Sequence, residues 1–496
     1  VKSNPFKPFK PNRVYPGDCL GALKELPDCS VETVITDPPY ELGFMGKGWD
    51  KAGVSFDPRT WWEVLRVTKP GGTLLAFGGT RTFHRIACAI EDAGWIIRDS
   101  LSWLYGTGFP KSLDISKAID KAAGAKREKI PEGKPVKRMI PGADQNKDGS
   151  WIKNSGRVYQ PGREIPVTED AKTWEGWGTA LKPSWEPIIV AMRPLDGTFE
   201  ENARKWGVAG LCIDGCRLGA TAEDERAWER LKGFNNTPRT TGRTYANGEI
   251  GEKDDRSEFS PPKGRWPANT ILAHHPDCAL RGEKQVKGGS ISSRGGSRNL
   301  AFGMKAGKGH DYTDANGMET VEDWACHPEC PVRMLDEQGG ERPSNRCSPG
   351  EGFTDRSVTF GAGISEMRGS GYGDTGGASR FYYTTKASRR EREIGLRGRV
   401  RCSKCGELDS RTHRPGKEPC IRNYHPTVKP VDLMRWLCRL TMTPFRGAVL
   451  DPFAGSGTTG VAAYLERRPF LGIELEEATA YVAQARIDAA LAGEFE

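Results

Sequence analysis

The apolar residues of this chain fall into regular blocks near its two ends and scatter in between. Val31-Glu-Thr-Val-Ile-Thr36 is a β-branched run that stops at Asp37-Pro-Pro-Tyr40, where paired prolines cannot continue a ladder. A helix is predicted around Trp61 to Val67, closed by Lys69-Pro-Gly-Gly72. Thr73-Leu-Leu-Ala-Phe77 reads as a second strand, a helix follows through Arg85 to Ala93, and a third strand lies near Trp95-Ile-Ile97. Strands alternating with helices imply a parallel sheet with crossover helices.

From about residue 111 to 395 that rhythm dissolves into glycine, serine, arginine and lysine, with apolar islands such as Trp185-Glu-Pro-Ile-Ile-Val190. The stretch Lys287 to His310 is glycine-rich and basic and reads as a mobile loop. Regular spacing returns with a helix over Val431 to Leu440 and a strand at Ala448-Val-Leu450. A glycine loop, a helix to about Arg467, a strand at Phe470-Leu-Gly-Ile473 and a helix from about Glu477 to Leu491 complete the chain. The expected fold is a Rossmann-like α/β sheet built from both chain ends. Residues 1–110 would give one half, 396–496 the other, and 111–395 a large irregular insertion. A chain of 496 residues is long enough to need such an elaboration.

Two loops in this scheme carry chemistry. Asp451-Pro452-Phe453-Ala454-Gly455-Ser456-Gly457-Thr458 lies between a strand and a helix, and Gly455, Gly457 and Gly460 keep the spacing G-x-G-x-x-G. Glu474 follows 19 residues past Gly455, at the end of the next strand, where an acid can hold the two hydroxyls of a ribose. These features indicate a nucleoside cofactor, with a nicotinamide dinucleotide and S-adenosylmethionine both open. Asp37-Pro38-Pro39-Tyr40 narrows the choice. An aromatic amino group is a poor nucleophile because its lone pair is delocalised into the ring. The Asp37 carboxylate and the Pro38 carbonyl offer two acceptors for its hydrogens, the prolines stiffen the turn, and Tyr40 offers a face for a flipped base.

The pair of motifs resembles the amino-methylating DNA methyltransferases, with the catalytic motif ahead of the cofactor loop as in their beta-type order. His425-Pro-Thr-Val-Lys-Pro430 resembles the segment of that family at the methionine end of S-adenosylmethionine, which implies Thr427 and Lys429 near its carboxylate and His425 among the cofactor-binding residues. Gly17-Asp18 resembles the position meeting the cofactor's adenine, Glu474 the one holding its ribose, and Phe453 would line the cleft. Other readings remain beside these: Asp18 as a cap for a helix starting near Leu20, His425 as a brace for its loop, Lys429-Pro430 as a helix start. Arg265-Trp-Pro-Ala-Asn269 and Lys386-Ala-Ser-Arg389 resemble segments of phage-like and bacterial members. In similar enzymes an aspartate at the first motif position goes mostly with adenine, so N6 of adenine is the expected target and N4 of cytosine the alternative. Enzymes acting on RNA or protein amides usually carry asparagine there. C5-cytosine chemistry needs a Pro-Cys nucleophile, and the only Pro-Cys pair is Pro419-Cys420, beside a candidate metal motif. A dehydrogenase would leave Asp37–Tyr40 without purpose.

Cys402 and Cys405, with His413 and Cys420, have the spacing of a structural zinc site. Cys326 and Cys330, with Cys278 and His275, form a second, weaker group. His275-Pro-Asp-Cys278 and His327-Pro-Glu-Cys330 share a pattern. Thirteen cysteines, an odd number, fit thiols and metal in a reducing, cytoplasmic setting better than a disulfide framework. The net charge of +8 favours a polyanionic partner, here double-stranded DNA, and Arg389, Arg390, Arg392, Arg397, Arg399 and Arg401 suit phosphates or a solvated loop equally. Trp174, Trp177 and Trp185 are expected to pack in a small core rather than fill the gap of a flipped base. No run of 18 apolar residues exists to span a membrane, and the start shows no signal-like stretch. Oligomeric state, with a homodimer among the options, and a partner nuclease stay open.

Overall fold

The computed structural model describes residues 10–42, 53–106, 112–131, 162–218, 265–287, 318–340, 378–386 apart from the side chains of 380, 381 and 386, 390–396, 423 and 428–495. It adds the two-residue strands 136–137, 144–145, 151–152, 158–159, 342–343 and 375–376. Among these residues nine strands form one sheet: β1 Arg13–Pro16, β2 Val31–Thr36, β3 Thr68–Phe77, β4 Ile96–Leu104, β5 Trp185–Met192, β6 Thr270–His274, β7 Tyr383–Lys386, β8 Val449–Asp451 and β9 Phe470–Glu474. Their order across the sheet is β1-β9-β8-β2-β3-β5-β4-β6-β7. Every neighbouring pair is parallel except at β5, which runs antiparallel to both β3 and β4.

Helices cover both faces of the middle of the sheet, and all six residues of β2 are buried. On one side α1 (Cys19–Lys24), α2 (Pro58–Val67) and α3 (Phe83–Asp92) bring Leu23, Trp61, Val64 and Ile86 against Val34, Leu74 and Ala76. On the other, α4 (Val431–Leu440), α5 (Thr458–Leu465) and α6 (Glu477–Leu491) bring Leu433, Leu437, Val461 and Ile487 against Ile35, Leu75 and Phe77. Neighbouring residues of one strand thus serve opposite cores, as period-two geometry requires. The chain leaves β8 through α5 towards β9, and leaves β2 through α2 towards β3 on the other side. Between β8 and β2 the winding reverses, and a crevice outside the carboxyl ends of the strands at such a point is where open α/β sheets bind ligands.

The expected insertion over 111–395 divides in the structure. Residues 108–184 form a compact unit of their own, while 185–496 group with 1–107. Within the small unit, Asp120 accepts bonds from Val167 N at 3.1 Å, Thr168 N at 3.0 Å and Thr168 Oγ1 at 2.7 Å, and pairs with Arg127. The island at Trp185–Met192 is a central strand of the large sheet, and β6 and β7 extend its edge. Pro187 concealed this, since proline is rare inside a sheet. It sits where β3 has already ended, with Phe77 facing Ile188, so its missing N–H costs the ladder little. Trp174, Trp177 and Trp185 are exposed rather than packed in a core, the first two meeting edge to face at 5.5 Å. No helix among the described residues is long and apolar enough to cross a membrane.

Candidate functional site

Asp37 is the first residue beyond β2, and the two prolines carry the chain sharply off the sheet. The turn closes at Glu41, whose φ of 55° is a left-handed conformation seldom adopted by side-chain-bearing residues. Its carboxylate holds it there, accepting from Gly53 N at 2.9 Å and lying 3.2 Å from Ser55 Oγ. Ser55 Oγ donates to the Pro39 carbonyl at 2.6 Å, and the Trp61 indole N–H donates to Ser55 O at 2.8 Å. The tetrapeptide is therefore tied to α2 on one side of the sheet. Tyr40 OH donates to Asp37 Oδ1 at 2.8 Å and lies 3.0 Å from Glu186 Oε2. Burial, then the nearby Asp37 and Glu186 charges, push that hydroxyl well above its usual pKa, so it stays a donor. A Cβ on Gly79 would lie 3.0 Å from the Tyr40 ring, so glycine lets the ring rest on the end of β3.

Lys429, expected by resemblance beside the cofactor's carboxylate, has its ammonium within this cluster. Nζ donates to Asp37 Oδ2 at 2.8 Å and lies 3.1 Å from Glu186 Oε2, 3.3 Å from Tyr40 OH and 4.8 Å from the centre of the Phe77 ring. Burial acts to lower its pKa, but Asp37 and Glu186 outweigh it and raise the ammonium to about 12. Glu186 Oε1 also takes the Tyr105 hydroxyl at 3.2 Å. One lysine is thus shared by two carboxylates, and the charge-assisted bonds fix the direction of Asp37.

On the neighbouring strand, Asp451 is buried with both oxygens engaged. Oδ1 accepts from Thr36 Oγ1 at 2.6 Å and Phe453 N at 3.1 Å, and Oδ2 from Thr459 Oγ1 at 2.6 Å. Burial raises its pKa to about 6 against these bonds. The Thr36 bond joins the residue before Asp37 to the start of the glycine loop, which sets the two motifs side by side. Arg486 from α6, fully buried, donates to Ser456 O at 2.7 Å and Thr458 Oγ1 at 2.9 Å and holds the far side of the loop. Gly457 has φ of 78° and begins α5, and a Cβ there would come within 2.9 Å of the Ala483 backbone. Gly457→Ala is accordingly expected to destabilise the protein by about 2 kcal/mol or more, seen as a lowered unfolding midpoint in urea. A midpoint unchanged from wild type would show that α6 yields freely.

Glu474 ends β9. Its Oε2 accepts from Gly455 N at 2.9 Å and its Oε1 from Glu476 N at 3.0 Å, while burial raises the carboxyl to about 7. Gly17 N donates to Glu474 O at 2.9 Å, which brings Asp18 to the same strand ends. Asp18 caps α1, with Oδ2 accepting from Gly21 N at 2.8 Å. Phe453 is partly buried against the α2 face, its ring 6.4 Å from Trp61.

Asp37, Tyr40, Lys429, the glycine loop, Glu474 and Asp18 therefore line the carboxyl ends of β1, β9, β8, β2 and β3. Pro38 is buried and Pro452 lies at the start of the glycine loop. His425, Thr427, Cys402, Cys405, His413 and Cys420 lie outside the described residues, as do Arg389, Arg397, Arg399, Arg401 and residues 288–310. Glu186, Glu41, Ser55 and Arg486 escaped the sequence reading. Only Glu186 had a local signal, as the one charge inside an apolar island.

A profile described as DNA methylase, for N6 and N4 methyl transfer, matches residues 31–485. The chain belongs to this DNA methylase family. Among relatives of this methylase, the Type II methyltransferase M.HpaI of Haemophilus parainfluenzae is 31% identical over 115 residues, 22% of this chain and 36% of that protein. The Type II methyltransferase M.BamHI of Bacillus amyloliquefaciens is 36% identical over 74 residues, 13% of this chain and 17% of that protein. The match thus spans about a third of the first relative's length and about a sixth of the second's. Loose likenesses also exist to the M1.HpyAVI–SAM complex and to the cytosine-N4-specific PvuII DNA methyltransferase. The first has 12% identity and a TM-score of 0.32, covering 96% of this chain and 98% of that one. The second has 11% identity and a TM-score of 0.35, covering 96% and 88%.

Proposed function

We propose that this methylase transfers the methyl group of S-adenosylmethionine to the exocyclic N6 amino group of adenine in double-stranded DNA. The observation that supports this reading most is the meeting of the Asp37 turn and the glycine loop at the reversal of the sheet, joined by the 2.6 Å bond from Thr36 to Asp451. The donor set suits the cofactor. Each oxygen of Glu474 has one backbone N–H bond and keeps a lone pair for a ribose hydroxyl, and Asp18 keeps one carboxylate oxygen beyond its capping bond. Phe453 gives the cleft an apolar wall. When bound, S-adenosylmethionine supplies a methyl group activated by the positive sulfonium.

The protein's part is to make the amino nitrogen nucleophilic. Asp37 and the Pro38 carbonyl accept its two hydrogens and draw the lone pair out of the ring. A carboxylate offers about four lone-pair sites, so the Tyr40 and Lys429 bonds leave Asp37 room for the substrate. Tyr40, anchored at its hydroxyl, presents a fixed face to the extruded base. The amino proton departs through Asp37 or water. By resemblance, the aspartate at the first motif position favours adenine. We assign DNA recognition to the parts of 111–395 outside β5, β6 and β7, whose basic, glycine-rich stretches suit phosphate contacts.

The test is transfer of labelled methyl to mixed-sequence duplex DNA, followed by nucleoside mass spectrometry. N6-methyladenine is expected. N4-methylcytosine would overturn the choice of base and keep the amino chemistry. Absence of any methylated nucleoside, with the cofactor bound, would overturn DNA as substrate.

A further inference from the structure

The group of Cys326, Cys330, Cys278 and His275 expected from the sequence changes one member in the structure. His275 is replaced by its neighbour His274, the last residue of β6. The nitrogen and three sulfurs all lie within 4.8 Å of one another, with His274 Nδ1 at 3.5 Å from Cys330 Sγ and 3.6 Å from Cys326 Sγ. We propose that His274, Cys278, Cys326 and Cys330 bind one structural zinc ion.

The ligands come from two copies of one turn. His274-His-Pro-Asp-Cys278 and Cys326-His-Pro-Glu-Cys330 share the order ligand, histidine, proline, acid, cysteine. Their backbones also agree. Cys278 N donates to His275 O at 2.9 Å and Cys330 N to His327 O at 3.0 Å. Asp277 N donates to His275 Nδ1, and Glu329 N to His327 Nδ1, each at 3.2 Å. The two middle rings stack with centroids 4.0 Å apart and 16° between planes. The turns cross-bond reciprocally: His327 N donates to Cys278 Sγ at 3.3 Å, and His275 N to the Cys330 sulfur. Backbone N–H groups aimed at sulfur stabilise thiolate, the form that ligates metal.

Burial excludes the simpler readings. His274, Cys278 and Cys330 are at most 4% exposed, and an imidazole nitrogen converging on three sulfurs is not apolar packing. Among the described residues the accompanying cluster is small, with Leu272 and Val332 as its only buried aliphatics. Three thiolates and an imidazole favour zinc in tetrahedral geometry, with Zn–S of about 2.3 Å and Zn–N of about 2.0 Å. His275 and His327 stand outside this set of four: their Nδ1 atoms accept from the turns' own backbone and their rings stack on each other.

The ion would staple the edge of the sheet. Cys278 directly precedes and Cys326 directly follows an antiparallel hairpin of Ala279–Lys287 and Met318–Ala325, in which Ala279 faces Ala325. Cys330 caps the helix Pro331–Gly339 without any side-chain capping bond of its own. One metal therefore joins β6, the base of the hairpin and that helix, where the local core is too small to do so. Methyl transfer needs no metal, so the site is structural and stands apart from the proposed reaction.

Zinc content of the purified full chain, compared across variants, tests this. Cys278→Ser with Cys326→Ser is expected to lose one equivalent that Cys402→Ser with Cys405→Ser retains. His274→Cys should keep that equivalent while zinc-edge X-ray absorption changes by one nitrogen replaced with sulfur, which guards against a variant that merely misfolds. Unchanged zinc in the Cys278/Cys326 variant, no change in scattering for His274→Cys, or a metal-free wild type with a disulfide among the three cysteines would overturn the proposal.

Discussion

Replacing Asp37 with alanine is expected to lower single-turnover methyl transfer by about a thousandfold, with binding of S-adenosylmethionine nearly unchanged. The substitution removes an acceptor that the amino nitrogen needs as its bond to the methyl forms. It leaves the glycine loop in place, because Asp451, Glu474 and Arg486 hold that loop without Asp37. Lys429 keeps Glu186 at 3.1 Å, so no buried ammonium is abandoned and the fold persists. Asp37→Asn separates charge from shape. Its amide can accept through one atom only and would turn its NH2 towards either Tyr40 OH or Lys429 Nζ, which now occupy the two oxygens. It should therefore remain nearly as impaired as alanine. Transfer within tenfold of wild type in both variants, measured with saturating cofactor, would remove Asp37 from the chemistry.

The parts of this site that were legible in sequence are those whose chemistry is contiguous. Four adjacent residues make the acceptor turn, and seven make the glycine loop, so each carries its own signature. What escaped was assembled across distance. Glu186 reaches Tyr40 over 146 positions and Lys429 reaches Asp37 over 392, and no local pattern reports such pairings. The strand carrying Glu186 also contains Pro187, which argues against a central strand until the end of β3 beside it is seen. The histidine in the cysteine cluster shows a subtler failure. The shared His-Pro-acid-Cys pattern drew attention to His275, yet the spacing His274-x3-Cys278 matches Cys326-x3-Cys330. In a strand that ends at His274, side-chain alternation sends that residue inward and the next one outward. Asp18 is a helix cap, and Gly17 beside it bonds to the strand end bearing Glu474.

Affinity for S-adenosylmethionine should climb as pH rises from 6 to 8, and Glu474 is the reason. Burial lifts its carboxyl from the ordinary 4.5 to about 7, so the protonated form persists towards neutral pH. Each oxygen already takes one backbone N–H, and a proton would occupy a lone pair that a ribose hydroxyl needs. A cofactor whose ribose is held by Glu474 would therefore select the ionised form and release the proton on binding. Below pH 7 the affinity falls by roughly tenfold per unit. The free protein's stability runs the other way. A carboxyl with a folded pKa above its unfolded one contributes stability that is complete below 4.5 and lost as pH rises through 7. Asp451, raised by burial from 3.8 to about 6, adds to this in the same direction. Without cofactor the unfolding temperature should therefore fall between pH 5 and 7.5, and saturating cofactor should flatten or reverse that fall. Glu474→Ala is expected to weaken binding by roughly a hundredfold, the worth of two charge-assisted hydrogen bonds, and Glu474→Gln should bind weakly with no pH dependence over this range. Titration calorimetry in buffers of different ionisation enthalpy reads the released proton directly. A wild-type affinity that stays level from pH 6 to 8 would mean that the ribose is not held by Glu474.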